Sequence, residues 1–290
     1  MRFDTAALGR LLLLMAGWDG SPVWLAIDRT DWAFGKTRHN LLVISALLGD
    51  TAIPLVWKSL GKNGGSSTED RIALMKRLLL VLPAARVAGV MGDREFMGEC
   101  WMAWLCERRI PFIIRLRDNT RVALDSGEVF RVSTLCAKLR EGKAAKAFPA
   151  ILTQGLRVNI QGKRTCKGLV IVAFSGAMPT PQPVNFYRRR WRIECAFACL
   201  KRKGFELEDT HLTHPSRLET LLGAVVIAFA WALRIGLRQR KPTRKNHGYP
   251  ITSRFTLGKH ILIYALQRQR KLTKLIRLAF NPADLNRTVV

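Results

Sequence analysis

The order of apolar runs between residues 23 and 115 constrains the fold of this chain more than any other feature of its sequence. Five short runs rich in aliphatic residues predict β-strands, at 23–27, 40–48, 53–57, 87–91 and 111–115. The first three follow one another through short turns, which predicts an antiparallel meander. The last two each follow a segment with helical periodicity, at 68–80 and 97–108. Strands that alternate with helices in this way lie parallel in a sheet.

Residues 118–183 break this alternation. They contain four short candidate strands, at 121–124, 129–132, 155–160 and 168–174, and a polar Lys-rich stretch. Helical periodicity returns at 185–203 and 217–236, where Gly204 and Gly236 are placed to end the helices. The prediction is an α/β fold of the RNase H-like kind: a mixed sheet flanked by helices, with a mainly β insertion before the helix at 185–203.

This order divides the chain into five predicted parts. They are 1–20 as the remnant of an N-terminal region, 21–117 as the first part of the core, 118–183 as the β-rich insertion, 184–237 as the last two core helices and 238–290 as a basic C-terminal region.

The net charge limits the kind of partner. Lys and Arg number 48 against 21 Asp and Glu, a formal charge of +27, and a bound polyanion relieves such self-repulsion. DNA, RNA and anionic membrane surfaces all fit this charge. Beyond residue 237 there are 13 Lys or Arg and one acid, Asp284, and basic and aliphatic residues alternate at 271–277. That pattern predicts a basic amphipathic helix that suits phosphates better than a membrane surface.

No segment of the sequence favours export or membrane insertion. The strongly apolar stretch at 221–233 is shorter than the roughly 20 residues of a membrane span, so a buried helix is predicted there. The apolar run at 11–17 lies between Asp4 and Asp19 and lacks the pattern of a signal peptide. The six cysteines have no paired spacing, which predicts free thiols in a reducing compartment. We therefore expect a cytoplasmic protein without a membrane partner.

Two aspartates directly follow predicted strands, Asp28 after 23–27 and Asp93 shortly after 87–91. The carboxyl ends of neighbouring strands in an α/β sheet meet at one edge, where ligands bind. Two carboxylates brought together repel unless a cation lies between them, and Mg²⁺ prefers such oxygen ligands. The alternative for either residue alone is a turn or helix-capping role. Asp31 competes with Asp28 for the site, but it lies beyond the end of the predicted strand.

The segment at 185–201 contains the most informative pattern. Four polar residues follow at intervals of three, four and seven positions: Tyr187, Arg190, Glu194 and Lys201. At about 100° per residue they lie along one stripe of a helix. The apolar stripe is offset from them by one residue, so the polar stripe borders the buried face. Three further arginines surround the one acid, which is typical of an anion-binding helix: Arg188, Arg189 and Arg192.

This pattern resembles the YREK signature of the IS-four group of bacterial insertion-sequence transposases, and all four residues match without gaps. The segments at 27–30 and 93–96 resemble the regions around the first and second catalytic aspartates of that group. The β insertion before the glutamate is similar to the group's layout. The resemblance covers about residues 20–236.

The resemblance implies a DNA transposase that works by cut and paste, commonly through a hairpin at the transposon end. Three residues would be both catalytic and metal ligands: Asp28, Asp93 and Glu194. They would hold two Mg²⁺ ions about 4 Å apart, with Mn²⁺ as a substitute, for in-line phosphoryl transfer. Five residues would hold DNA phosphates: Tyr187, Arg188, Arg189, Arg190 and Lys201. The implied partners are double-stranded DNA, at the transposon ends and at the target, and a second copy of the chain.

The sequence departs from the family pattern at two places. Residues 1–20 are shorter than the family's usual N-terminal end-binding domain, so specific end recognition is expected to be impaired. Some relatives use a Trp of the insertion to hold a flipped base; here Phe130, Phe148 or Phe174 would have to stack instead. Two alternatives stay open: an inactive or truncated remnant that binds DNA without cutting it, and another RNase H-like nuclease that cuts without joining.

Overall fold

The computed structural model describes residues 5–16, 18–48, 51–201, 204–239, 252–268 and 272–280. Within these ranges ten strands form one sheet: β1 (Val23–Phe34), β2 (Thr37–Leu48), β3 (Thr51–Ser59), β4 (Val87–Gly92), β5 (Phe112–Arg115), β6 (Arg121–Ala123), β7 (Val129–Arg131), β8 (Phe148–Leu152), β9 (Arg157–Thr165) and β10 (Gly168–Ser175). The same described ranges contain nine α-helices: α1 (Thr5–Met15), α2 (Thr68–Leu79), α3 (Glu99–Glu107), α4 (Val132–Leu135), α5 (Pro183–Phe186), α6 (Trp191–Lys201), α7 (Pro215–Leu237), α8 (Arg254–Gln267) and α9 (Leu272–Phe280). The strands lie in the order β3-β2-β1-β4-β5-β10-β9-β8-β6-β7.

β1, β2 and β3 form the predicted antiparallel meander, but the strands are longer than their apolar runs. β1 continues to Phe34 because it stays paired with β2 as far as the two-residue turn at 35–36, where Gly35 takes a φ of +55°. Asp28 pairs with Val43 in this ladder, and Asp31 pairs with Asn40. The prediction that the first strand ends before Asp28 is therefore wrong, and Asp31 lies within the same strand.

β4 lies parallel to both β1 and β5, so the core sheet is mixed, as predicted. β10 pairs antiparallel with β5, and the other strands of the insertion follow it outward. The insertion therefore extends the core sheet and does not form a separate one. The sequence analysis missed β8, which contains Pro149, a residue unfavourable inside central strands. The boundaries of the five predicted parts stay a prediction.

The core is built around β2, in which residues 39–47 are buried at successive positions. A strand buried at consecutive residues is covered on both faces of its sheet. Helices supply the cover: α1, α6 and α7 pack against β3, and α2 packs against β2 and β3. The result is the helix-flanked mixed sheet of an RNase H-like fold.

α1 was not predicted, although it is well anchored in the core. Leu8 and Leu12 on this helix are buried. The buried guanidinium of Arg234 on α7 donates to the carbonyl oxygens of Leu14 at 3.2 Å and Met15 at 3.0 Å. Carbonyl groups at the end of a helix have no partner inside the helix, so Arg234 satisfies the end of α1.

α7 agrees with the helix predicted at 217–236 to within two residues at each end, but Gly236 lies inside its last turn and is not the residue that follows the helix. Gly236 instead allows close contact with α8, since a Cβ there would lie 1.8 Å from the carbonyl oxygen of Arg254. On α8, a Cβ at Gly258 would lie 1.7 Å from the carbonyl oxygen of Ala232. Among the described helices, α7 alone is long and apolar enough to cross a membrane, but over half of its apolar window is buried, as in a core helix.

The structure has an amphipathic helix, α9, where residues 271–277 predicted one; Lys271 itself lies outside the described residues. Leu275 is buried, whereas Lys274 and Arg277 are exposed. The indole N–H of Trp231 on α7 donates to the carbonyl oxygen of Leu275 at 3.0 Å. The basic C-terminal helices therefore pack on the core through α7.

Candidate active site

The sheet register brings Asp28 and Asp93 to the same level. β1 and β4 are parallel, and their last paired residues are Ala26 and Met91. Asp28 and Asp93 each lie two residues beyond that pair, so both side chains emerge on the same face. At this level β4 has ended, while β1 continues as a hairpin with β2. One edge of β1 is therefore open beside both carboxylates.

A backbone N–H group orients each of these carboxylates. The N–H of Arg29 donates to Asp28 Oδ1 at 2.9 Å, and the N–H of Glu95 donates to Asp93 Oδ1 at 2.8 Å. Asp93 is also the N-cap of a short 3₁₀ helix at Arg94–Phe96. Such charge-assisted bonds hold a carboxylate in one orientation.

Glu194 lies on α6, and the helix predicted at 185–203 is not continuous. α5 is followed by a 3₁₀ segment at Tyr187–Arg190 and only then by α6. A 3₁₀ segment winds more tightly than an α-helix, so the simple stripe inferred from the sequence does not extend through it. The change of winding sends Tyr187 into the core, where it is buried, and turns Arg190 toward the acids.

A single guanidinium links two acids that come from different elements. Arg190 Nη1 donates to Asp28 Oδ2 at 2.8 Å, and Nη2 donates to Glu194 Oε1. The side chains of Arg190 and Asp28 are only 12% and 13% exposed. Like charges buried this closely repel strongly, so the arginine neutralises a site that would otherwise be unfavourable.

Burial perturbs the protonation of this cluster. It raises the pKa of Asp28 from 3.8 to about 6, although Arg190 acts against the rise and the charges of Asp93 and Glu194 add to it. Burial also raises the pKa of Tyr187 to about 12. Burial alone would lower the pKa of Arg190. The contacts with Tyr187, Asp28 and Glu194 outweigh this effect, and the pKa of Arg190 lies above its ordinary value. An acid with a pKa this perturbed is typical of functional sites.

The cluster lies in an open cleft of about 540 Å³. Its walls are Asp28, Arg29, Thr30, Asp93, Glu194, Phe197, Ala198 and Lys201. Across the described ranges no three acidic, His or Cys side chains already stand in the arrangement of a metal site. Between Asp28 and Glu194, the Arg190 guanidinium holds the position of a cation. Hard oxygen donors gathered around a buried positive charge fit a divalent metal ion.

A family model described as the transposase DDE domain matches residues 20–231 of the chain. The chain belongs to the transposase DDE domain family. The matched range contains β1 to β10 and α6, and with them Asp28, Asp93 and Glu194. No curated protein matches the chain significantly. The family acts on DNA and typically uses a divalent metal, in accord with the acids and the charge of this cleft.

In this DDE domain, the arginines before Glu194 differ in exposure. Arg188 and Arg189 are exposed, and the Arg189 guanidinium stacks 4.3 Å above the Phe186 ring. Arg190 is occupied by the two acids instead. Arg188 and Arg189 are therefore the members of the cluster that can meet a phosphate without rearrangement.

Tyr187 and Lys201 are less accessible than the signature suggested. The Tyr187 hydroxyl is buried beside Arg190 but makes no hydrogen bond of regular geometry within the described part of the chain. Lys201 Nζ donates to the carbonyl oxygen of Asp31 at 2.9 Å and lies 2.7 Å from a carboxylate oxygen of Glu208. The role of both residues in holding DNA stays a prediction, and for Lys201 it requires exchange of these partners.

The sequence analysis gave no role to Arg29 and Glu95, which lie beside the acids. Arg29 Nε donates to both carboxylate oxygens of Glu95 at 3.1 Å. A signal was available, because each residue stands within two positions of a candidate ligand. Their pairing joins β1 to the segment after β4, a contact that spacing in the sequence does not reveal.

Proposed function

We propose that this DDE domain is a transposase of the IS-four group that cuts and joins the ends of an insertion sequence by cut and paste. The observation that carries the proposal is the convergence of Asp28, Asp93 and Glu194, from three separate elements, on one open cleft. The cleft belongs to a transposase DDE domain, and the whole chain carries a formal charge of +27. Both features suit double-stranded DNA as the substrate.

The three carboxylates are proposed as the ligands of Mg²⁺, with Mn²⁺ as a substitute. The metal would supply positive charge that favours formation of the nucleophile and departure of the 3′ oxygen. Asp28 and Asp93 are held by backbone N–H groups through one oxygen each, which leaves their other oxygens for a ligand. In Asp28 that other oxygen now accepts from Arg190.

Arg190 therefore has to give up at least one acid when the carboxylates take a metal. A guanidinium released beside the cleft can make two parallel hydrogen bonds to a phosphate. We propose that it then binds the DNA backbone, together with the exposed Arg188 and Arg189. Tyr187 and Lys201 complete this proposed phosphate-binding set.

A homodimer that bridges two transposon ends, on DNA in the bacterial cytoplasm, is the proposed setting of this reaction. The +27 charge supports contact with a long polyanion. The basic helix α9, with Lys274 and Arg277 exposed, offers one surface for it.

The test is a cleavage and joining assay on supercoiled plasmid that carries candidate element ends. Wild type is expected to nick and join DNA only with Mg²⁺ or Mn²⁺. Glu194→Gln is expected to bind the same DNA and do neither, because it keeps the side-chain shape and loses the ligand charge. Glu128→Gln, an exposed glutamate of the insertion, is the matched control and should behave as wild type.

The other outcomes separate the competing functions. Metal-dependent cutting without joining would identify a nuclease and reject the transposase assignment. Binding with steep salt dependence but no cutting by wild type would identify a DNA-binding remnant. Cutting by Glu194→Gln at the wild-type rate would remove this residue from the site.

A further inference from the structure

We propose that the Arg29–Glu95 ion pair is a positioning device that fixes the separation of Asp28 and Asp93. The proposal rests on the function proposed above, in which these two aspartates hold the metal. Neither Arg29 nor Glu95 is placed among the ligands. They act on the ligands through the backbone and set the width of the site.

The two aspartates are oriented by the residues that form the ion pair. Asp28 Oδ1 accepts from the N–H of Arg29, and Asp93 Oδ1 accepts from the N–H of Glu95. The side chains of these same two donors form the ion pair, in which Arg29 Nε lies 3.1 Å from both Glu95 oxygens. A closed loop of contacts thus runs from one aspartate to the other. A shift of the Arg29 or Glu95 side chain therefore moves the backbone N–H groups that hold the carboxylates of Asp28 and Asp93.

On the β1 side of this closed set of contacts, Arg29 is held by the neighbouring strand β2. Arg29 Nη1 donates to the side-chain oxygen of Asn40 on β2 at 3.0 Å. Asn40 is buried, and its Nδ2 donates to the carbonyl oxygens of Lys62 at 2.7 Å and Gly64 at 2.9 Å. Arg29 is therefore held by the sheet and by the loop at 61–67, and cannot follow Glu95 freely.

The Glu95 side is fixed by the start of α2. Arg71 is 6% exposed, and its Nη2 donates to the carbonyl oxygen of Glu95 at 2.9 Å and to that of Ser66 at 2.7 Å. The N–H of Ser66 donates in turn to Glu95 Oε1 at 3.2 Å. Ser67 then caps α2. Glu95 is thus held by its carboxylate and by its backbone.

The Arg29–Glu95 pair is more buried than an ordinary surface ion pair. The side chains of Arg29 and Glu95 are 21% and 24% exposed. Farther along the same hairpin, Arg38 and Asp31 form a pair at 2.8 Å that is 55% and 36% exposed. The Arg38 side chain has no contact with the two aspartates of the site among the described residues. Arg38, on β2 of the same hairpin, therefore offers a matched control, and its partner Asp31 approaches Arg29 no closer than 3.9 Å.

The test measures binding of Mn²⁺ to the 290-residue chain, without DNA, from the paramagnetic resonance signal of free Mn²⁺. Glu95→Gln and Arg29→Gln are each expected to weaken Mn²⁺ binding roughly 10- to 100-fold, the range typical of residues that orient metal ligands. Arg29→Lys keeps the charge but cannot bind Glu95 and Asn40 through separate nitrogens as Arg29 does, so an intermediate loss is expected. Arg38→Gln should bind Mn²⁺ as wild type does. Thermal unfolding of each variant checks that it is folded, and Arg29→Lys serves if the Gln variants are not.

The outcomes distinguish this proposal from the one on which it rests. Wild-type Mn²⁺ affinity in folded Glu95→Gln and Arg29→Gln would reject the positioning role and leave the metal site intact. Loss in Glu95→Gln but not in Arg29→Gln would also reject it, because Glu95 would then be a ligand. If wild type binds Mn²⁺ no better than Asp28→Asn, the proposed metal site fails and the positioning role with it. In cleavage, the positioning role predicts a lower kcat with an unchanged KM for DNA.

Discussion

Replacement of Asp28 by Asn is expected to stabilise the metal-free protein, by an amount that grows with pH. Burial raises the pKa of Asp28 from 3.8 to about 6 in the folded protein. Each tenfold change in a protonation equilibrium is worth about 1.4 kcal/mol, so the ionised carboxylate costs the folded state about 3 kcal/mol. Asn mimics the protonated acid and carries no such cost.

The direction of the pH dependence follows from which state holds the proton. Between about pH 4 and pH 6 the unfolded chain has lost the proton of Asp28, while the folded protein retains it. The folded state therefore binds more protons in this window, and its stability falls as pH rises. Wild type and Asp28→Asn should be nearly equal at about pH 4. The variant should lead by up to about 3 kcal/mol above about pH 7.

Urea unfolding at a series of pH values, in buffer with a chelator, measures this difference. Asp31→Asn is the matched control on the same strand, because its hydrogen bond from Arg38 lowers the pKa of Asp31. The control should be less stable than wild type, the opposite sign, by an amount that is nearly complete by about pH 5 and stays constant as pH rises further, because the lowered pKa of Asp31 confines its titration to lower pH. Added Mg²⁺ should stabilise wild type, since a metal selects the ionised form, and should have a smaller effect on Asp28→Asn.

A pH-independent difference between wild type and Asp28→Asn would refute the reasoning. It would show that Asp28 titrates alike in the folded and unfolded states, so that burial does not govern its protonation. A variant less stable than wild type at about pH 8 would show that the bond from Arg190 outweighs burial.

Three further substitutions test the close contact between α7 and α8 and the buried polar contacts near the site. Gly258→Ala should destabilise the protein by about 1–3 kcal/mol, the usual effect of overpacking, because its Cβ would meet the carbonyl oxygen of Ala232 at 1.7 Å; a melting temperature equal to wild type would contradict the close approach. Arg71→Met should cost about 2 kcal/mol or more in urea unfolding, because it leaves the Glu95 carbonyl oxygen and its neighbours without their donor; a smaller loss would mean that water replaces the guanidinium. Tyr187→Phe removes a buried hydroxyl that lies beside Arg190 without a hydrogen bond of regular geometry, so stability should change by no more than about 1 kcal/mol; a larger loss would show that the hydroxyl binds the guanidinium.

The local elements of the core could be predicted from the sequence because each depends on neighbouring residues. Short aliphatic runs with turns between them gave the meander, and helical periodicity gave α2, α3 and α7. The predicted ends of the strands and helices were less accurate where pairing with a segment distant in the sequence decides them. β1 extends beyond its apolar run to Phe34 because β2 supplies hydrogen-bond partners, and β8 forms because β9 lies beside it.

The candidate ligands could also be proposed in advance, because a carboxylate that follows a strand is visible in the sequence. The contacts that neighbouring residues make with those carboxylates could not be predicted from the sequence. A continuous helix at 185–203 would have placed Arg190 beside Glu194 on an open stripe. The 3₁₀ segment at Tyr187–Arg190 turns Arg190 into the cleft, where it bonds an acid 162 residues away in the chain.

The sequence by itself determined the order of the core strands β1 to β5 with the helices between them, the strongly basic charge, and the presence of two aspartates and a glutamate in a transposase-like order. These properties follow from residue type and spacing alone. Only the tertiary structure decided that Asp28 and Asp93 share one level, that Arg190 lies between the acids, and that Arg29 meets Glu95. Those contacts depend on the register of β1 against β4 and on where α6 packs, which many residues far apart in the chain fix together.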